Sequence, residues 1–232
     1  MMRPARRPDL SPGHERMRIT LTFDNGPAPE TTPMVLDTLA RHGARAVFFV
    51  VGQRIEDPAL RNLAARAKAE GHLVGNHTYS HARQFGDMAA PADAIDEIDR
   101  TQALLGDLAG PERLFRPYGR GGTLDHRLLN HDAVDHLKAQ RFTMALWTCV
   151  PRDWEDPDGW QGRALAECEA SSWPVVVLHD LPTGAMAHLD QFLGALSDRG
   201  AALCTDFPPD ATPILLGQQI GDIGALTNPG RP

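Results

Sequence analysis

Short apolar segments alternate with helical stretches along most of this chain, and that alternation leaves few folds open. Apolar or alternating runs fall at residues 18–23, 46–51, 72–76, 114–118, 142–148, 174–179 and 201–204. Between them, residues 30–42 and 58–70 carry helical patterns that stop at Gly43 and Gly71, and 191–199 stops at Gly200. Residues 91–108 place Ile95, Ile98, Leu104 and Leu105 largely on one side. A glycine just past a helix is a common terminator because it adopts a left-handed conformation without steric conflict. Strand–helix alternation predicts an α/β fold with a mostly parallel sheet. Periodicity alone does not separate a barrel from an open doubly wound sheet; the barrel is the expectation taken here. In both, functional side chains gather at the carboxyl ends of the strands.

The 232 residues suit one domain with tails, large enough to bury a core without disulfides. Residues 1–16, rich in Pro and Arg, read as a disordered segment; 17–216 hold the domain; 217–232, rich in Gly and Pro, read as a tail. The net charge of −7 argues against non-specific nucleic-acid binding, which needs a basic face. Cys149, Cys168 and Cys204 are odd in number and widely spaced, with no CxxC, so neither a disulfide framework nor a thiolate metal site is expected. No apolar run follows Arg3, Arg6 and Arg7, and no segment has the length of a membrane span. A cytoplasmic protein with no membrane partner is the expectation; the oligomeric state is not readable.

Five polar groups fall at or just after strand ends. Thr22-Phe23-Asp24-Asn25-Gly26-Pro27 closes the first strand. Asn-Gly is a turn signal in its own right, but the stretch also sets a carboxylate beside an amide oxygen. His77-Thr78-Tyr79-Ser80-His81 follows the third strand. Two histidines four apart face the same way on a helical turn and suit a divalent metal that favours imidazole nitrogen. Phe115-Arg116-Pro117-Tyr118-Gly119 ends the fourth strand; its planar guanidinium can clamp a carboxylate, and its rigid turn can aim backbone N–H groups at an oxyanion. Arg152-Asp153-Trp154 follows the fifth, offering an orienting carboxylate beside an aromatic wall, or a packing tryptophan in a loop. Val177-Leu178-His179-Asp180 ends the sixth; Asp180 there can simply cap the next helix. Each signal is modest alone, and their shared location is what carries weight.

In that order the five motifs resemble those of the polysaccharide deacetylase family, the NodB-homology domain of carbohydrate esterase family four. The resemblance covers roughly residues 17–207. The family's TFDDGP is here TFDNGP, its H-[ST]-x-x-H is matched in full, its RPPYG is shortened to RPYG, and its DW and apolar-His motifs are Asp153-Trp154 and Leu178-His179. The resemblance implies a distorted (β/α) barrel of about seven parallel strands. It implies removal of an N-acyl, usually N-acetyl, group from a carbohydrate. By the same resemblance Asp24 is the general base, His179 the general acid, Arg116 the residue that orients the base, and Asp153 the carboxylate that sets the state of His179. The Tyr118 backbone N–H is an oxyanion donor. His77, His81 and Asn25 hold a divalent metal, zinc by default, with cobalt or nickel as alternatives. Trp154, Val177 and Leu178 line the substrate pocket.

Asn25 is the main departure, since the family has a second Asp there and an amide coordinates only through a neutral oxygen. Two other readings stay open on these residues. One is a carbohydrate-binding descendant without turnover, favoured by Asn25 and the shortened third motif. The other is a hydrolase of small non-sugar amides, favoured by the lack of a leader sequence.

Overall fold

The computed structural model describes residues 17–230. Strand β1 (Arg18–Asp24) sets the plan. Ile19, Leu21 and Phe23 point to one side and pack with Leu36, Leu39, Trp160 and Phe192, which come from helices. Strand alternation turns Thr20, Thr22 and Asp24 to the other side, so the carboxylate at the strand end faces the barrel interior.

After β1 the chain runs through helix α1 (Thr31–Arg41), β2 (Val47–Val50), the short α2 (Gly52–Ile55), α3 (Pro58–Ala69) and β3 (Leu73–Asn76). It continues through α4 (Ala92–Leu105), β4 (Leu114–Phe115), α5 (His131–Ala139), β5 (Thr143–Met144), α6 (Trp160–Glu169), β6 (Val175–His179), α7 (Leu189–Asp198) and β7 (Ala202–Cys204). Strands β1 to β7 pair only in parallel with one another. The order is β6-β1-β2-β3-β4-β5, with β7 joining the start of β1. The ring is closed irregularly, by a bridge between Cys149, just past β5, and Val176 of β6. Seven parallel strands in a distorted barrel is what the alternation and the motifs predicted.

Local chemistry sets the boundaries. Asp57 caps α3 by accepting from Ala59 N at 2.8 Å, with Pro58 in the first helical position. Asn130 caps α5 by accepting from Ala133 N at 2.8 Å. Gly43, Gly71 and Gly200 follow their helices at φ of 59°, 87° and 70°, as their spacing predicts. Strands β4 and β5 are shorter than their apolar runs. Pro117 has no N–H to continue the ladder, and beyond Ala145, whose N–H still donates to Phe115 O, the chain bonds outside it, with Leu146 N donating to Ala211 O.

The C-terminal segment corrects the sequence reading. Residues 217–230 are not a loose tail but part of the domain. Strands β8 (Ile214–Leu215) and β9 (Gln218–Gln219) extend the sheet antiparallel from β5. Ile214, Ile223 and Leu226 are buried with Phe85, Phe115 and Leu129. Glycine and proline shape the turns of this segment, while two apolar side chains of its own, Ile223 and Leu226, bury it; composition alone weighed only the former. Residues 1–16 lie outside the described residues. Among the described residues no helix is long and apolar enough to cross a membrane.

Candidate active site

The parallel register of β1 and β6 pairs Asp24 with His179, so both side chains leave the sheet on the same face. Asp24 is buried. Its Oδ1 accepts from Arg116 Nη1 at 2.9 Å, and its Oδ2 lies 3.6 Å from His77 Nε2. Arg116 has no solvent exposure at all. Besides Asp24 its guanidinium donates to Thr22 Oγ1 at 2.6 Å, Ala145 O at 3.1 Å and Leu146 O at 3.0 Å. The ring of Phe49 lies beneath it, 4.1 Å away. A buried charge is tolerable only when it is paired and hydrogen-bonded, and this one is held on every side.

Asp153 is likewise fully buried. Its Oδ1 accepts from His179 Nδ1 at 2.8 Å, and its Oδ2 from the His179 backbone N–H at 2.9 Å. Nδ1 is therefore the donor and Nε2 is left for the cavity. Burial pulls the His179 pKa down, but the hydrogen bond and charge of Asp153, with Asp24 and Asp180, outweigh it and raise the pKa. Trp154 meets the His179 ring edge-on at 4.9 Å.

His77 and His81 converge, their ring centroids 4.6 Å apart. They do so on an irregular loop, not on the helical turn their spacing predicts; Thr78 and His81 have φ of 63° and 52°. Side chains replace the missing helical bonds. Asn76 Oδ1 accepts from Thr78 N at 3.0 Å, and Thr78 Oγ1 from His81 N at 3.2 Å. Glu97 Oε2, on α4, accepts from both Tyr79 N and Ser80 N, at 2.9 and 2.8 Å. His77 Nδ1 donates to Arg116 O at 2.9 Å, which leaves the Nε2 lone pair facing Asp24. Burial pushes the His77 pKa down to about 3 and that of His81 to about 2, the latter with smaller contributions from His77 and Arg54 among others. Both imidazoles are therefore neutral donors at ordinary pH.

Asn25 stands at φ 70°, a conformation Asn tolerates, and its Oδ1 is buried without a hydrogen-bond partner. It borders the same cavity, of about 240 Å³, as Asp24, His77, His81 and His179. An orphaned amide oxygen beside two neutral imidazoles is a donor set that fits a divalent cation. Among the described residues no group of three or more His, Cys, Asp or Glu is arranged to hold a metal. Where the family's TFDDGP has a second carboxylate, this cavity has the amide of Asn25.

Tyr118 packs its ring on His81 at 4.2 Å and borders the cavity. Among the described residues its backbone N–H enters no hydrogen bond. Val177 and Trp154 line the cavity as expected, but Leu178 does not. Leu178 is fully buried in the layer between sheet and helices, with Phe23 and Phe192. Two adjacent strand residues cannot share a face, so Val177 and His179 turn inward and Leu178 outward. Leu181, just past the strand, takes its place in the wall. Trp147 also lines the cavity, its Nε1 donating to Gly122 O at 2.8 Å, whereas Trp160 is buried in the core.

Asp180 does not cap the following helix. It is buried and accepts from Thr32 Oγ1 at the start of α1, and burial raises its pKa to about 6. A β-carbon on Gly26 would stand 2.2 Å from its oxygens, so this turn requires glycine. Glu97 and Leu181 are the site's supports that sequence reasoning missed, and Asp180 entered it only as a candidate helix cap. Of these only Leu181 had a signal, the period-two alternation of β6.

The chain is similar to known proteins in both sequence and fold. The polysaccharide deacetylase family profile matches residues 12–138. A peptidoglycan-N-acetylglucosamine deacetylase of Bacillus cereus is 30% identical over 200 residues, covering 83% of this chain and 68% of the relative. A chitooligosaccharide deacetylase of Rhizobium leguminosarum bv. trifolii is 34% identical over 172 residues, covering 72% and 74%. A family 4 carbohydrate esterase of Streptomyces lividans, solved with acetate, superposes with a TM-score of 0.69 at 26% identity, covering 84% of this chain and 95% of the other. The chain spans less than half the length of some longer relatives, at 43% and 37%. It belongs to the polysaccharide deacetylase family.

Proposed function

We propose that this protein removes an N-acetyl group from a carbohydrate by metal-assisted hydrolysis, with Asp24 as base and His179 as acid. The observation that carries this reading is the pairing of Asp24 and His179 across one cavity, each gripped by a buried partner of opposite role. Relatives named for peptidoglycan and chitooligosaccharide deacetylation point to an acetamido sugar as substrate.

His77, His81 and Asn25 would hold the metal, with zinc the ion best suited to two imidazoles and one oxygen. A divalent ion there supplies Lewis acidity toward the acyl carbonyl and acidifies water. The protein's own groups do the rest. Asp24, held in place by Arg116, takes a proton from the attacking water. The Tyr118 N–H donates to the oxygen that becomes negative as water adds to the carbonyl carbon. His179, kept protonated by Asp153, gives a proton to the nitrogen as the C–N bond breaks, leaving acetate and a free amine. Val177, Leu181 and Trp154 form an apolar wall suited to the acyl methyl group.

The test is acetate release from N-acetylated oligosaccharides by zinc-supplemented protein. Asp24→Asn and His179→Ala should each cut kcat by at least roughly 100-fold, the scale of losing general acid–base help. Loss of metal from His77→Ala and His81→Ala, with the fold kept, should accompany loss of activity. Near-normal turnover by Asp24→Asn would overturn the mechanism. Binding of glycans without any acetate release would favour the non-catalytic reading.

A further inference from the structure

A second cavity, of about 310 Å³, adjoins the first; Asn25, His81 and Leu181 line both. Gln53, Arg54 and Ser80 supply its polar side. Arg54 is set there by backbone bonds from α2 to the two loops of the active site. Val51 N donates to Gly26 O at 3.1 Å, Gly52 N to Thr78 O at 3.0 Å and Gln53 N to Tyr79 O at 2.9 Å. The guanidinium is thus mounted on the same frame as Asn25 and His81, close enough for its charge to be felt at His81.

This chain is acidic, with 30 carboxylates to 23 Lys and Arg, and many of its arginines are ion-paired, among them Arg18, Arg66, Arg152 and Arg163. Arg54 is different. Among the described residues it has no carboxylate within ion-pair distance, and its one hydrogen bond, to Pro27 O, is long at 3.5 Å. It lines the cavity with its remaining N–H donors unbonded among the described residues. A planar guanidinium with free donors, flanked by an amide and a hydroxyl and backed by Leu181, matches a carboxylate better than a neutral sugar hydroxyl.

We propose that this cavity receives a carboxylate carried by the acetamido sugar or its neighbour, so that N-acetylated glycans bearing a carboxylate are the preferred substrates. This rests on the deacetylase reading above for the position of the acetamido group. The carboxylate sits either on a lactyl ether, as in muramic acid, or at C6, as in a uronic acid.

The experiment compares two pairs of probes on zinc-loaded wild type and Arg54→Gln: a muramic-acid-containing tetrasaccharide and its methyl ester, and a C6-oxidised chitotetraose and its methyl ester. Calorimetry gives Kd and acetate release gives kcat/KM. At least one acid should be favoured over its ester by about tenfold, less at high salt, and which acid it is locates the carboxylate. Arg54→Gln should remove most of that preference by weakening the acid far more than the ester, chiefly through KM. Equal affinity for acid and ester in both pairs, or an equal loss on both forms in Arg54→Gln, would overturn the proposal. If no glycan releases acetate but the binding preference and its loss in Arg54→Gln persist, the hydrolase reading fails while the carboxylate site at Arg54 stands, its glycans being ligands and not substrates.

Discussion

Asp153 grips His179 at two points, one carboxylate oxygen on the ring Nδ1 at 2.8 Å and the other on the backbone N–H at 2.9 Å. The first bond fixes the tautomer and the charge of the ring, and the second fixes where the ring stands. Few side chains define both the protonation and the position of a neighbour so completely.

Removing that charge should move the pH profile in a definite direction. The His179 pKa is raised, so the acid form persists to higher pH than in a free imidazole. In Asp153→Asn burial acts with less opposition, the pKa falls, and the alkaline limb of kcat/KM shifts to lower pH. Activity at neutral pH should drop roughly 10- to 100-fold, as for loss of a partner that orients a functional histidine. The linkage has the same sign. Stability drawn from protonated His179 is fully present below the unfolded value, near 6.5, and lost as pH rises through the raised folded value. An alkaline limb that stays in place in Asp153→Asn would show that Asp153 does not set the charge of His179.

Arg116 offers a test of stability and activity together. Arg116→Met removes what is, among the described residues, the only buried cation bonded to Asp24, and leaves an uncompensated carboxylate among apolar walls. The expected destabilisation is about 3–5 kcal/mol, read from urea unfolding. Arg116→Lys keeps the charge but cannot reach Thr22, Asp24, Ala145 and Leu146 at once, so it should recover part of the stability and little of the turnover. Wild-type stability in Arg116→Met would mean that Asp24 is neutral or finds water in its place.

Glu97 should matter to the metal although it touches no donor atom. Its carboxylate accepts the two N–H groups of Tyr79 and Ser80 that an irregular loop cannot satisfy internally. In Glu97→Ala the loop carrying His81 loosens, and zinc affinity measured by calorimetry should fall about tenfold. Glu97→Gln still offers an oxygen and should recover most of it. Unchanged affinity in Glu97→Ala would mean that the loop is held by Asn76 and Thr78 alone.

These tests divide along what the sequence made legible. Asp24, His77, Arg116, Asp153 and His179 were readable because each sits at or just past a strand end, where apolar periodicity and a change to polar residues mark the spot. The strand–helix alternation was readable for the same reason, whereas its closure into a barrel followed from the order of the five motifs. Features that depend on partners distant in the chain were not. Glu97 lies on a helix face that periodicity marks as exposed, and Asp180 is held by Thr32, 148 positions away. The C-terminal segment is buried by Ile223 and Leu226, too few to form a periodic pattern. The helical turn at His77–His81 was an inference from spacing, and positive φ at Thr78 and His81 overrides it. Leu178 was readable and misread, since alternation alone excludes it from the face of Val177 and His179.

Asn25 carries the most consequential substitution in the chain. Its buried oxygen has no partner, and the two imidazoles beside it are neutral, so a cation there meets no negative ligand from this set. Asn25→Asp adds one. An anionic oxygen gains more Coulomb energy from a dication than a neutral one, so zinc should bind about tenfold tighter or more, roughly 1.4 kcal/mol. The backbone accepts the change, because Asp and Asn share tolerance of positive φ. Without metal the sign reverses. The new carboxylate stands next to Asp24 and near buried Asp180, where like charges repel, so the metal-free variant should melt below wild type. Zinc should therefore raise the Tm of Asn25→Asp by more than it raises that of wild type, a readout independent of turnover. Turnover need not follow, because a ligand charge makes the ion a weaker Lewis acid. Fresh protein checked by intact mass keeps deamidation at Asn25-Gly26 from mimicking the variant. Equal zinc affinity and equal zinc-dependent Tm shifts in the two proteins would show that Asn25 is not a donor, and that His77 and His81 share the ion with water alone.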